Sequence, residues 1–334
     1  MTAVTQAPMT LAPMTLAKAL NAGLRAAMEA DPRVLVMGED VGALGGVFRV
    51  TDGLQKDFGE DRVIDCPLAE SGILGTAVGL ALRGYRPVVE IQFDGFVYPA
   101  FDQIVSQVAK LRFRSAGRVP MPLVIRIPYG GGIGAVEHHS ESPEAYFVHT
   151  AGLKVVTCSG AADAHSMIQQ AIACEDPVVF LEPKRLYHSG TQAVAVDAPG
   201  LFTSTVVRPG SEVTVVAYGG SVRLALAAAQ AAQDEDGRSL EVIDLRSLSP
   251  LDLAPVVESV RRTGRLVVVH EASRTLGVGA EVAARITEEC FYSLTSPVLR
   301  VTGWDLPYPP SRVEASFLPD IDRILDAVDQ AVAW

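Results

Sequence analysis

Basic residues are scarce in this 334-residue chain: 28 lysines and arginines stand against 39 aspartates and glutamates, a formal net charge of −11. That balance disfavours nucleic acid or an anionic membrane as the principal partner and suits a basic surface on another protein. Cysteine is sparse too. Cys66, Cys158, Cys174 and Cys290 are scattered without a Cys-x-x-Cys pair, which argues against a zinc knuckle, a thioredoxin-type site or a secreted disulfide framework and reads as reduced thiols. Long apolar runs are missing: the longest helix-like one, Ser71 to Leu82, is too short to span a bilayer. The first basic residue is Lys18 and no clean apolar segment precedes it, so a signal peptide is not expected and a soluble, cytoplasmic protein is.

What is present is a long alternation of strand-like and helix-like segments, the pattern of parallel sheets covered on both faces. The length points to two domains, and the 49% hydrophobic content is ample for two cores. Leu16, Leu20, Leu24 and Met28 recur on one helix face from an N-cap at Thr15 to a stop at Asp31-Pro32. Strands are expected at 34–37, 63–65, 87–93, 122–127, 154–157 and 178–181, with helices at 101–113 and 163–174 between them. Periodicity lapses from Tyr187 to Pro209, which reads as a linker. It resumes with strands at 213–218, 240–244, 266–270 and 298–302, helices at 222–233, 254–262 and 280–290, and a last helix after Pro319. The domains are therefore drawn as 15–190 and 210–334, with 191–209 between them. A tandem Ala-Pro-Met-Thr-Leu at 7–11 and 12–16 leaves Met9 or Met14 as an alternative start, and residues 1–14 are expected to be poorly ordered.

Glu70 is the leading candidate for chemistry. It lies between the strand Arg62 to Asp65 and an apolar, small-residue helix that offers no salt-bridge partner. Gly75 and Gly79 on that helix let another backbone approach, which places Glu70 at a packed junction or a subunit seam, where a buried acid is costly unless something bonds it. Locally, an acid pairing with a helix N-terminal dipole accounts for the same residue. His138-His139 resembles a metal pair, but adjacent side chains in an extended segment point apart and nothing nearby completes a zinc site. Tyr129-Gly130-Gly131-Gly132-Ile133-Gly134 lacks the spacing of a dinucleotide loop and reads as a close-approach loop near the active site.

Pro67 to Ile73, Glu90 to Phe96, Pro99 to Ile104, His138 to Glu144, Leu153 to Val156 and Glu241 to Arg246, in this order and spacing, resemble the β subunits of 2-oxo acid dehydrogenase E1 components. The resemblance covers roughly residues 15 to 334 and implies an α/β chain: a transketolase-like pyrimidine-binding domain with a parallel sheet, then a transketolase C-terminal-like α/β domain. The segment His139 to Phe147 resembles the branched-chain enzyme more than the pyruvate enzyme. The implied function is oxidative decarboxylation of a branched-chain 2-oxo acid and acylation of the lipoyl group of E2. The alternatives are the pyruvate enzyme and a non-catalytic scaffold of the same fold.

The resemblance also implies roles. Glu70 would bond the aminopyrimidine of thiamine diphosphate, Gln92 and Phe96 would line the pyrimidine pocket from one strand face, and the backbone of Leu68 would approach the ring. Phe96 stands where the family often has tyrosine; the aromatic face stays but one hydroxyl is lost. His139 would assist acyl transfer to lipoate. A monovalent cation such as K⁺ would be held by backbone carbonyls near Ala171, Cys174 and Asp176, with Cys174 departing from the common acid. Asp305 would meet a basic residue of E2. The Gly-Asp-Gly motif that holds Mg²⁺ and the diphosphate in thiamine enzymes is absent: Thr51-Asp52-Gly53, Phe93-Asp94-Gly95 and Glu235-Asp236-Gly237 lack the first glycine. The chain thus carries half a cofactor site, and an α subunit in an α₂β₂ heterotetramer would carry the rest. A self-sufficient transketolase-type protein, which needs that motif and a far longer chain, is disfavoured.

Overall fold

The computed structural model describes residues 10–195 and 198–334. Its strands, in chain order, are β1 (Thr10–Met14), β2 (Val34–Gly38), β3 (Val63–Asp65), β4 (Arg86–Glu90), β5 (Val124–Tyr129), β6 (Lys154–Thr157), β7 (Val178–Pro183), β8 (Gln192–Ala195), β9 (Thr205–Arg208), β10 (Val213–Ala217), β11 (Leu240–Asp244), β12 (Ser247–Ser249), β13 (Leu266–Ser273) and β14 (Leu299–Gly303). The larger sheet runs β12-β6-β7-β5-β4-β2-β3 and the smaller β14-β13-β10-β11-β9, while β1 and β8 form a ribbon. In the two larger sheets strands are parallel except for β12 and β9 at the edges, and the β1–β8 ribbon is antiparallel. Their central members are Val- and Ile-rich and buried along their length, as sheets covered on both faces require.

Helix Leu16–Ala30 shows how the helices follow from sequence. The Thr15 hydroxyl accepts from the Lys18 amide at 3.3 Å, and Leu16, Leu20, Leu24 and Met28 are buried. Gly23 lets it cross helix Ala161–Ala173, for a β-carbon there would fall 2.6 Å from the His165 carbonyl oxygen. Helix Ile321–Val332 starts at Asp320, whose carboxylate accepts from the Arg323 amide at 2.8 Å.

Four features depart from expectation. Thr10–Met14 is a strand paired with β8, not part of a disordered tail; residues 1–9 lie outside those described. The linker segment contributes β8 and β9, one pairing with β1 and the other joining the smaller sheet. β12 returns from the second half of the chain to the edge of the first sheet, and one apolar core runs through residues of both halves. The expected helix 101–113 is present but widened to a π-helix over Gln103–Val108 before its α-helical end (Ala109–Arg114), and a 3₁₀ turn (Asp94–Ala100) leads into it. Pro99, which has no amide hydrogen to give, sits where the regular ladder is interrupted.

Candidate active site

Every candidate for the cofactor pocket lies just beyond the carboxyl end of a strand among the neighbours β5-β4-β2-β3, the side on which open parallel sheets place their sites. Glu39 follows β2, Glu70 follows β3, Gln92 and Phe96 follow β4, and the glycine loop and His139 follow β5.

Glu70 is the first residue of helix Glu70–Leu82 and is 7% exposed. Among the described residues no hydrogen bond or salt bridge reaches its side chain. As the acid in the first turn it faces the helix dipole, and it makes no surface ion pair. Glu39 stands with it: burial, and then the charges of Glu70 and Asp40, push the Glu39 carboxyl up, and its Oε1 has no partner. The effect of burial and of the neighbouring charges favours the neutral form of Glu39. The Gly38-Glu39-Asp40 acid pair closing a buried strand was the sequence signal for Glu39, and it was not recognised.

β4 ends at Glu90, so Gln92 and Phe96 do not share a strand face; they are brought to the site by a turn and the 3₁₀ segment. Gln92 Nε2 donates to Asp40 Oδ2 at 3.0 Å, which links the β4 and β2 loops. Phe96 lies edge-on to Phe93 and to His139, with ring centroids 5.7 and 5.2 Å away. Leu68 is 78% exposed, a large apolar side chain at the mouth next to Glu70. Beyond it, Gly75 and Gly79 face open space on this chain, leaving a bare small-residue helix face.

His138 and His139 occupy a 3₁₀ turn (Glu137–His139), and their rings come to 4.3 Å rather than pointing apart. Among the described residues no group of three or more His, Cys, Asp and Glu is placed to hold a metal. His139 stacks on Phe93 at 3.9 Å with planes 24° apart, and its Nδ1 faces the His138 carbonyl at 2.9 Å. With the proton on Nδ1 donated there, Nε2 is left for exchange. Gly95 permits this approach, since a β-carbon would strike the His138 backbone at 2.4 Å.

The floor beneath the site is a buried ion network. Arg126 on β5 donates to Glu90 Oε2 at 2.6 Å and to both oxygens of Glu182 at 2.7 and 2.8 Å, and Tyr187 donates to Glu182 at 2.5 Å. The two carboxylates hold the guanidinium charged despite its burial. Asp94 pairs with Lys184 and accepts from the Glu141 amide at 2.8 Å, anchoring the base of the histidine segment.

The positions proposed for a monovalent cation are differently furnished. Arg86 Nη1 donates to the carbonyls of Ile172 and Cys174 at 3.0 and 3.3 Å, and its other arm meets Glu175. The Asp176 carboxylate lies 3.2 Å from Arg112 and 4.0 Å from Lys154, and the Ala171 carbonyl accepts from the Cys174 amide at 3.2 Å. Side-chain cations supply the positive charge at this helix end. Asp305, exposed at its loop, accepts from the Thr275 amide at 2.9 Å and the Thr275 hydroxyl at 2.7 Å, and these bonds lower its pKa.

Comparison with known proteins agrees with this architecture. Residues 12–189 match the transketolase pyrimidine binding domain and residues 203–324 the transketolase C-terminal domain. A "Pyruvate dehydrogenase E1 component subunit beta" of Leifsonia xyli is 59% identical over 322 residues, spanning 96% of this chain and 95% of that protein. The chain belongs to the E1 β subunits of 2-oxo acid dehydrogenases. A "3-methyl-2-oxobutanoate dehydrogenase subunit beta" of Mycobacterium tuberculosis is 57% identical over 320 residues, spanning 96% of this chain and 92% of the relative. A solved "Split gene transketolase, inactive beta4 tetramer" shares the fold with a TM-score of 0.74 at 22% identity, covering 96% of this chain and 99% of that one. Among the described residues no helix of this E1 β chain is long and apolar enough to cross a membrane.

Proposed function

We propose that this E1 β subunit, joined to an α subunit, catalyses oxidative decarboxylation of a branched-chain 2-oxo acid and passes the acyl group to the lipoyl arm of E2. The observation that carries the reading is Glu70: a largely buried acid with no hydrogen bond or salt bridge from the described residues, at the same sheet end as the Phe93, Phe96 and His139 rings, an arrangement that fits a neutral nitrogen heterocycle with a hydrogen-bonding edge. When bound, thiamine diphosphate supplies the electron sink for loss of carbon dioxide. Glu70 would hold a proton at the ring nitrogen, Gln92 and the backbone at Leu68 would fix the ring edge, and Phe96 would cover its face. Among the described residues no group of three or more His, Cys, Asp and Glu could hold a metal, and the Gly-Asp-Gly motif is absent, so α would supply the Mg²⁺ and diphosphate contacts, against the bare Gly75 and Gly79 face and the exposed Leu68. His139 would exchange a proton through Nε2 during acyl transfer. Asp305 would face a basic residue of E2.

Branched-chain preference rests on the His139 to Phe147 segment; the relative named for pyruvate dehydrogenase favours pyruvate as the second reading. Kinetics of the α/β pair with pyruvate against the 2-oxo acids of valine, leucine and isoleucine decide between them. Glu70→Gln tests the core of the proposal. The variant should fold and assemble yet lose most decarboxylation, by about 10²-fold or more as expected of a positioned acid-base group, and near-normal single-turnover decarboxylation refutes the role.

A further inference from the structure

The glycine loop after β5 has the shape of an anion cradle, and carboxylates from the second half of the chain fill it. Gly130, Gly132 and Gly134 have φ of +83°, +83° and +71°, so successive amides converge on one side. Gly132 N donates to Glu314 Oε1 at 2.9 Å and Gly134 N to Glu314 Oε2 at 3.2 Å, so one carboxylate bridges the loop. The Tyr308 hydroxyl donates to Glu314 Oε1 at 2.6 Å, and Gly131 N donates to Glu271. The loop runs directly into the turn that presents His139. Its base is closed within the first half of the chain, with Gly130 N bonded to the Glu141 carbonyl at 2.9 Å and Glu141 N to Asp94. Among the described residues, the arm Gly131–Val136 meets the histidine turn through the His139 amide, which donates to the Val136 carbonyl at 3.0 Å, and the side-chain hydrogen bonds that tie it to the rest of the chain come from Glu271, Tyr308 and Glu314.

We infer that Glu314 is a positioning residue for His139: by clasping the Gly132 and Gly134 amides it fixes the arm from which the histidine turn is presented. A carboxylate bridging two amides is a charge-assisted clamp, and an arm of alternating left-handed glycines has little stiffness of its own. The inference rests on the proposed part of His139 in acyl transfer. It gives the smaller domain a share in a reaction whose other named groups lie in the larger one.

The test is Glu314→Gln in the assembled α/β enzyme, with hydrogen exchange over residues 130–141 and the ratio of lipoyl-coupled to dye-coupled turnover as readouts. The amide keeps the volume but turns a donor toward one of the two backbone amides. Exchange should quicken in the arm, and the ratio should fall about tenfold, the scale expected of a displaced reacting group. Tyr308→Phe, which removes one bond to the same carboxylate, should move both readouts the same way by less. Unchanged exchange in both variants overturns the clasp; faster exchange with an unchanged ratio overturns the positioning role. His139→Ala is run beside them, and if it leaves the ratio unchanged the acyl-transfer reading falls while the exchange data still judge the clasp. Should Glu314→Gln fail to assemble, Tyr308→Phe alone decides on the same criteria.

Discussion

Replacing Glu144 by glutamine should make the chain more stable at alkaline pH and change little at acid pH. Glu144 opens helix Glu144–Val148 at the seam between the two halves and is fully buried. Its Oε1 accepts from the Tyr218 hydroxyl at 2.7 Å, while Oε2 has no partner. Burial raises its pKa from 4.5 to about 7, against the lowering effect of the Tyr218 bond. The folded chain therefore binds this proton more tightly than the unfolded one. Its contribution to stability is complete below the ordinary value of 4.5 and is lost as pH rises through about 7. A displacement of that size corresponds to roughly 3 kcal/mol. Glutamine is neutral throughout and keeps an oxygen for Tyr218. Urea unfolding of both proteins at about pH 5 and about pH 8 should show the difference in stability moving toward the variant by about 2–3 kcal/mol. Asp244, which burial also raises to about 7, is common to both proteins and cancels. A difference that stays constant between the two pH values refutes the buried-acid argument.

His139→Ala should depress lipoyl-coupled turnover more than dye-coupled turnover, and equal losses in both count against its assignment. Asp305→Asn should weaken E2 association by about two- to fivefold and flatten its salt dependence, as expected for an exposed charge; unchanged affinity at low salt returns Asp305 to loop stapling, where Thr275 already engages it. Exchanging K⁺ for choline tests the proposed monovalent-cation site at the Ala171, Cys174 and Asp176 carbonyls: a bound cation should raise the thermal midpoint, and an unchanged midpoint counts against the site. Arg86→Met should cost about 1–3 kcal/mol through the carbonyls it strands, and urea unfolding that shows no loss of stability contradicts this.

The legible parts of this fold were those in which one segment carries its own physics. Buried parallel strands wear their Val and Ile runs openly, and the Thr15 cap with its four-residue apolar rhythm defines helix Leu16–Ala30 to within a residue. What escaped was decided by partners distant in the chain. β12 is three residues whose place depends on β6, and β1 exists because β8 lies beside it. Apolar alternation past Glu90 puts Gln92 in the expected strand 87–93 and Phe96 in line with its face, whereas Asp94 is drawn into a turn by Lys184 and the Glu141 amide. Glu70 was legible as an acid without a local partner; its neighbour Glu39 was not, since adjacency across β2 and β3 is a fact of sheet order. The glycine loop declared its backbone freedom but not its occupant, because Glu314 lies in the other domain.

The treatment of buried acids shows where the chain is complete and where it is not. Glu90 and Glu182 share Arg126 and Asp94 has Lys184, both deep in the packed interior, and the partly buried Asp163 has Arg246 at 2.9 Å. Stripping a cation from such a site leaves a charge that costs about 3–5 kcal/mol, so natural chains seldom leave one bare. Glu39 and Glu70 have no cation and sit at the carboxyl ends of adjacent strands under an exposed Leu68 and an open glycine face. Glu144 is buried without a cation too, but it has the Tyr218 hydroxyl and lies inside the packed seam, whereas at Glu39 and Glu70 the uncompensated acids coincide with an open surface. A polar ring edge from a cofactor and an apolar wall from a second subunit would resolve both deficits at once, and that coincidence is the physical reason to place the active centre at the seam rather than inside this chain.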